Sequence, residues 1–272
     1  EIVRTRDQTA LDKCDLVLDV GGVYDPDKLR FDHHQKPEGG GRFGAGCREG
    51  GVPYSAFGLV WKHFGARVVG GTGAGETADV AAWIDRSLVQ AICARDNGWH
   101  PEKYKGGAGP VMSLSRAVSG FNPTWESNVD FDTAFAEAVG FAQGVLHREV
   151  ATQWAKKRAA RLWVNSCLRA KGRIVQLDKF IPWTRLNATS RLLYVVFPAA
   201  SGKNWMLQCI PPKPGSFEKR KPLPEAWAGL RGEELAELTG VSGAVFCHNG
   251  RFVAGAKTRK GAVDLARLAV AE

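Results

Sequence analysis

The alternation of apolar and polar positions in "EIVRTRD" (1–7) predicts a strand, and "QTALDK" after it a helical turn. "CDLVLDVGG" has four apolar residues among its five central positions, the pattern of a strand buried on both faces, and it runs out at Asp19 before Gly21-Gly22. "LRFDHHQK" (29–36) is another short apolar run, ending in Asp32, His33 and His34. Ligand sites in open α/β sheets lie beyond the carboxyl ends of strands, so these endings are placed for chemistry. "KPEGGGRFGAGCREGG" (36–51) cannot hold a regular element and reads as a flexible loop. A helical period returns in "SAFGLVWKHFG" and is strongest in "TADVAAWIDRSLVQAICARDNG", where Val80, Ala81, Ile84, Leu88 and Ile92 recur at three- and four-residue steps. Thr77 is positioned to cap that helix and Asn97-Gly98 to end it, which leaves Asp96 at its C-terminus.

The segment from "NPTWESNV" to "RAARLWV" reads as one long helix or two consecutive ones connecting the halves. Beyond it the period shortens. "GRIVQLDKFIPW", "RLLYVVFP" and "WMLQCIPP" read as strands, the last two joined by a turn at "AASGKN". "LPEAWAGLRGEELAELTG" reads as a helix, "GAVFCHNGRFVAGA" as a hairpin turning at Asn249-Gly250, and "KTRKGAVDLARLAVAE" as a closing helix. The second half is therefore an α+β unit.

A length of 272 residues suits two domains, expected at 1–150 and 151–272. The net charge of +9 hides a division between them: 16 Lys+Arg against 20 Asp+Glu in the first, 21 against 8 in the second. An acidic half can collect cations. A basic half either solvates itself or contacts a phosphate-rich polymer. The six cysteines are far apart, form no CxxC pair and follow no secretory signal, so they read as reduced and mostly buried. No apolar run approaches the ~20 residues that span a bilayer, so no membrane partner is expected. The chain opens on Glu1 inside a strand-like run, and is expected to lack its true beginning.

In an extended segment Asp32 and His34 point one way and His33 the other. Together with Asp19 they offer carboxylate oxygen and imidazole nitrogen, a mixture suited to Mn²⁺ or Mg²⁺, though imidazole also admits zinc and iron. Asp96 faces the negative end of a helix dipole, a penalty that a bound cation would remove. The plainer readings are a surface histidine pair and a solvated helix-ending turn.

"VLDVGG", "FDHHQ" and "ARDNG" resemble the second, third and fourth motifs of the DHH phosphoesterase superfamily. The longer stretch "DLVLDVGGVYDPDKLRFDHHQ", with "GLVWKHFG", "NPTW", "LPEAWAGLRGEEL" and "GRFVAGAKTRKGA", resembles the melanocyte-proliferating-gene-type exonucleases over nearly the whole chain. The resemblance implies a DHH-type, parallel-sheet α/β catalytic domain followed by a smaller α+β substrate-binding domain. It also implies two divalent ions, Mn²⁺ foremost and Mg²⁺ as the alternative, and 3′-to-5′ hydrolysis of RNA or another single-stranded nucleic acid. By the same resemblance Asp19, His33 and Asp96 are metal ligands. Asp32 and His34 are the catalytic pair, a supporting carboxylate and a phosphate- or metal-contacting group. Gly255, Lys257, Thr258, Arg259 and Gly261 approach substrate phosphates, with His248 on the same hairpin. The family's first motif belongs upstream of "EIVRTRD" and is absent from this chain, and the Gly-rich 36–51 stretch departs from the family pattern. A mitochondrial and nuclear location is implied as well.

Two other readings stay open: a nucleic-acid-binding protein without catalysis, and a hydrolase of a small phosphorylated molecule such as a dinucleotide. Trp99, next to "RDNG", is the base-stacking candidate among the tryptophans, while Trp83, Trp154 and Trp163 read as core. His63, His100 and His147 read as structural. "KPGSFEKRKPLP" (213–224) is either a solvated basic loop or an RNA contact. Oligomeric state is open.

Overall fold

The computed structural model describes residues 1–35, 46–48, 51–71, 73–98 and 113–272. The Gly-rich loop is thus only partly described, and Trp99 and His100 lie outside the described residues. The chain divides into two compact units, Glu1–Trp154 and Ala155–Glu272. Among the described residues no helix is long and apolar enough to cross a membrane.

In the first unit "EIVRTRD" forms no strand; Ile2 and Val3 are exposed, and no described segment pairs with them, so alternation alone had no ladder to join. Helix α1 (Gln8–Leu11) follows, capped by the Asp7 carboxylate, which accepts from the Thr9 amide. Strands β1 (Val17–Leu18), β2 (Tyr24–Asp25) and β3 (Arg30–Phe31) form a sheet in the order β1-β3-β2. β1 runs parallel to β3 and β2 antiparallel to it, so the α/β class holds but the sheet is mixed, where a parallel one was expected. β1 is an edge strand. Only Val17 is buried, while Leu16 and Leu18 remain 42% and 46% exposed, against the two-sided burial the apolar run predicted.

Phe31, fully buried, carries β3 against α2 (Ala56–Val68), where its ring meets those of His63 and Phe64. Next come α3 (Gly75–Ile84), a π turn (Asp85–Val89) and α4 (Gln90–Asp96). The cap of α3 is Ala74, and the Thr77 hydroxyl instead donates to the Ala74 carbonyl. The π turn alters the core. A wider turn takes up one extra residue, so the fully buried row is Val80, Ile84, Val89 and Cys93, while Leu88 is only partly buried and Ile92 does not join the row. After α5 (Leu114–Ser119), helix α6 (Phe131–Arg169) is a single element, and its Leu146, Val150 and Trp154 close this core. Trp83, read as core, is 37% exposed.

The second unit is a five-stranded sheet in the order β4-β5-β6-β8-β7. Its strands are β4 (Ile174–Gln176), β5 (Tyr194–Pro198), β6 (Trp205–Cys209), β7 (Ala244–Cys247) and β8 (Val253–Ala256). β4 is parallel to β5 and the remaining pairs are antiparallel. The unbroken apolar run of β5 has a simple cause: both faces are covered. Tyr194 and Val196 pack with Leu265, Ala266 and Ala269 of α8 (Arg259–Ala271), whereas Val195 and Phe197 pack with Trp163 and Trp183, whose rings stack at 5.4 Å. The helix expected over 223–240 is broken into a short 3-10 turn (Glu225–Trp227) and α7 (Gly232–Thr239). Between them Gly229 takes a left-handed φ of 79°, and Arg231 bridges to Phe246, so this stretch covers the outer edge of β7.

Candidate metal centre

Asp19 follows β1 directly with φ 64°, a left-handed conformation that costs most residues about 1–2 kcal/mol and Asp or Asn less. Its amide still donates to the Phe31 carbonyl at 3.1 Å, so the backbone is held by β3. Beyond it the chain turns at Gly21 and Gly22, both with positive φ, and the Gly22 amide donates to Asp32 Oδ2 at 2.6 Å. Asp32 continues β3, its amide bonded to the Val23 carbonyl. Asp96 comes from elsewhere in the sequence, on the last residue of α4. Asn97 fixes that helix end: its side-chain amide donates to the carbonyls of Cys93 at 2.9 Å and Tyr54 at 3.3 Å.

These elements converge on His33, whose side chain is 9% exposed. Its Nε2 lies 3.4 Å from Asp19 Oδ1 and 3.3 Å from Asp96 Oδ2. His34 joins from the neighbouring position, its ring 4.2 Å from that of His33, so strict alternation does not separate the pair. Asp19, His33 and His34 each offer one ligand atom within 4.8 Å of the others. His34 Nδ1 is 2.6 Å from Asp32 Oδ1, which leaves Nε2 as its ligand atom. A carboxylate orienting a ligating imidazole from behind is a recurrent metal-site arrangement.

Ligand bonds of about 2.0–2.2 Å place neighbouring donors on one ion about 3.0–3.5 Å apart. The contacts around His33 Nε2 fall in that interval, and the oxygen–nitrogen donor set fits a divalent cation. Electrostatics agree. Burial, and next the charge of Asp96, push the Asp19 carboxyl above its ordinary range, while His33 and His34 pull the other way. Asp32 differs: burial alone would raise it, but the bonds from Gly22 and His34 outweigh burial and hold it below the ordinary range. The site thus has an ionised buried carboxylate behind it and a crowded pair of half-exposed ones in front.

The residues of "GAKTRKGA" are less united. Thr258 caps α8, its hydroxyl accepting from the Gly261 amide at 3.0 Å. Thr258 and Gly261 line a groove of about 590 Å³ together with Ser242, Lys260 and Arg267, and Asp264 pairs with both of those cations. Lys257 is exposed beside it. Arg259 turns away to Asp178 at 2.8 Å, over the Trp205 ring. Gly255 is buried in β8, where an added Cβ would meet Phe246 at 2.7 Å; its missing side chain serves packing. His248 sits at the turn end of the hairpin, separated from Lys257 by the whole of β8, about 13 Å of strand. Lys260 and Arg267 went unnoticed in the sequence, although Lys260 stands inside the quoted motif. Asn97 and Gly22 were read only as punctuation, since hydrogen bonds to distant backbone leave no local pattern.

The family model that matches residues 1–270 is that of the MYG1-type exonucleases, described as "Uncharacterised protein family (UPF0160)". The MYG1 exonuclease of Homo sapiens is 33% identical over all of this chain and 78% of its own length. A MYG1 protein of Schizosaccharomyces pombe is 33% identical over 99% of this chain and 88% of its own. A MYG1 protein of Saccharomyces cerevisiae is 30% identical over 100% and 87%. No solved structure matches. A match of this extent, over both units, makes the chain a member of the MYG1 exonuclease family.

Proposed function

We propose that this chain is a metal-dependent phosphodiesterase of the DHH superfamily that removes nucleotides from the 3′ end of RNA with the help of two divalent ions, Mn²⁺ foremost. The observation that carries the reading is His33 Nε2 seated between the Asp19 and Asp96 carboxylates at 3.4 and 3.3 Å. Asp19, His33 and His34, the one such cluster among the described residues, would hold an ion, with Asp96 reaching it from beside His33. When bound, divalent ions lower the pKa of a water and draw charge from phosphate oxygens. The chain's own groups supply the rest. Asp32 holds the His34 ring through Nδ1, which leaves Nε2 to ligate, and the hydrogen bond from Gly22 keeps Asp32 in place. His33, nearly buried, fixes the separation of the two acidic side chains.

In this reading the first unit is catalytic and the second holds the strand. Lys257, Thr258 and Lys260 would contact phosphates near the start of α8, giving binding that weakens steeply with salt and depends little on sequence. The names of the relatives support an exonuclease, and the basic balance of 21 to 8 in the second half supports a polymeric substrate. The test is Mn²⁺-dependent shortening of a 5′-labelled RNA. Progressive loss from the 3′ end, abolished by Asp19→Asn and by EDTA, supports the proposal; unchanged cleavage by Asp19→Asn overturns it. A mitochondrial and nuclear location belongs to the same reading and is tested by imaging the tagged native gene product.

A further inference from the structure

The second unit carries another surface that the phosphate-binding reading leaves unused. Phe217 is 100% exposed and Phe252 is 38% exposed, on two loops tied together by a side-chain and a backbone hydrogen bond. Lys219 Nζ donates to the Gly250 carbonyl at 3.2 Å, and the Leu223 amide to the Arg251 carbonyl at 2.9 Å. At the near end of the loop the Gly215 amide donates to the Thr184 carbonyl at 3.0 Å. Arg220 and Lys221 point inward as staples, bonded to the carbonyls of Ala188, Leu192 and Val270 among others. The loop is therefore anchored at both ends while its phenyl ring stands in water.

Around the two phenylalanines the chemistry is consistent. His248 packs its ring on Phe252 at a centroid distance of 4.6 Å, and its Nδ1 accepts from the Gly250 amide, so Nε2 faces outward. Lys219 and Arg251 adjoin them along the chain, and Glu218 is the one acid in 213–222. Aromatic faces interleaved with cations are what unpaired bases and their phosphates require; bases within a duplex are already stacked and cannot use them.

We propose that Phe217 and Phe252, with His248 and Lys219, form a base-stacking contact for single-stranded RNA at the turn end of the β7–β8 hairpin, separate from the groove at α8. The proposal takes from the preceding section only that the partner is a nucleic-acid strand. It is tested on the whole chain in EDTA, where no cleavage can occur, by fluorescence anisotropy with a labelled single-stranded RNA and the same strand in a duplex. Phe217→Ala and Phe252→Ala are each expected to weaken single-strand binding about 5- to 20-fold and to leave the duplex unchanged, and Phe217→Trp to keep wild-type affinity. Lys219→Ala should lower the salt slope by about one.

Wild-type affinity in both alanine variants overturns the proposal, as does an equal loss on the duplex. It is also overturned if the same variants lose binding to anionic vesicles but not to RNA, or dissolve a concentration-dependent dimer instead. Because Phe217 is fully exposed, Phe217→Ala should leave the urea midpoint unchanged, and that result excludes unfolding as the cause. If the protein stacks RNA in EDTA but does not shorten it when Mn²⁺ is supplied, the hydrolase reading falls and this one stands.

Discussion

Asp32→Asn tests the centre most directly, because the side chain is 2% exposed and hydrogen-bonded at both carboxylate oxygens. The carboxylate accepts from the Gly22 amide at 2.6 Å, from the His34 amide at 3.1 Å and from His34 Nδ1 at 2.6 Å. An asparagine oxygen placed at Oδ1 can serve both His34 contacts. The new NH₂ group then faces the Gly22 N–H, donor against donor. One charge-assisted bond is lost, so stability should fall by about 1.5–3 kcal/mol. The second effect is on the metal. Losing the charge behind an imidazole ligand typically lowers metal affinity about 10- to 100-fold. Urea unfolding reads the first effect and calorimetric titration with Mn²⁺ the second. Since the Asp32 pKa is depressed in the folded protein, its contribution is present above the unfolded value of about 4 and fades as pH falls through the lower folded value, so the stability gap to wild type should close in acid. A variant that binds Mn²⁺ as tightly as wild type would refute the orienting role of Asp32, and a gap that widens in acid would refute the electrostatic account.

Asp19→Asn should raise the stability of the metal-free protein by a few tenths of a kcal/mol, because Asn tolerates the left-handed backbone and removes a charge crowded by Asp96, while metal binding is lost; a lower urea midpoint contradicts this. Asp85→Asn leaves the Arg48 guanidinium, 7% exposed and held at 2.9 and 3.0 Å, without its counter-charge, and should cost about 3–5 kcal/mol by the same assay. Gly255→Ala should cost about 1–3 kcal/mol through its clash with Phe246, with little effect on RNA affinity. Cys47 is exposed and should react with a disulfide reagent in the native state, while burial holds Cys209 up to about 12 and Cys247 up to about 11, so both should react only on unfolding. Their raised values also mean that stability declines as pH rises from about 9, where unfolded thiols ionise, towards those folded values.

What the sequence made legible follows from how local each signal is. The run at 192–197 announced a strand because both faces of β5 are covered, while Thr258, read as a phosphate contact, also caps α8 by accepting from an amide three residues on. "EIVRTRD" misled because a strand needs a partner, which periodicity does not report. Leu18 misled because burial depends on which strand lies at the edge. The four candidate ligands were individually visible at the ends of elements. Their meeting depends on the backbone of Asp19 and on the helix between Gly75 and Asp96, and neither leaves a trace in hydropathy. The substrate motif was legible as a string but not as a place, since Gly255, Arg259 and His248 each turn to different neighbours.

The π turn at Asp85–Val89 has a meaning beyond the core it rearranges. In an unbroken helix the row begun by Val80 and Ile84 would continue through Leu88 and Ile92 to residue 96, and the carboxylate would lie on the buried side. The extra residue moves that row on to Val89, Cys93 and Asn97, and carries Asp96 about 100° around the axis towards His33. A chain with one residue fewer between 85 and 89 would therefore keep both the packed row and the outward acid in a regular helix. Substitutions that straighten the turn at constant length would keep the fold's composition and lose the ligand. What the site requires of this helix is its phase, not its length.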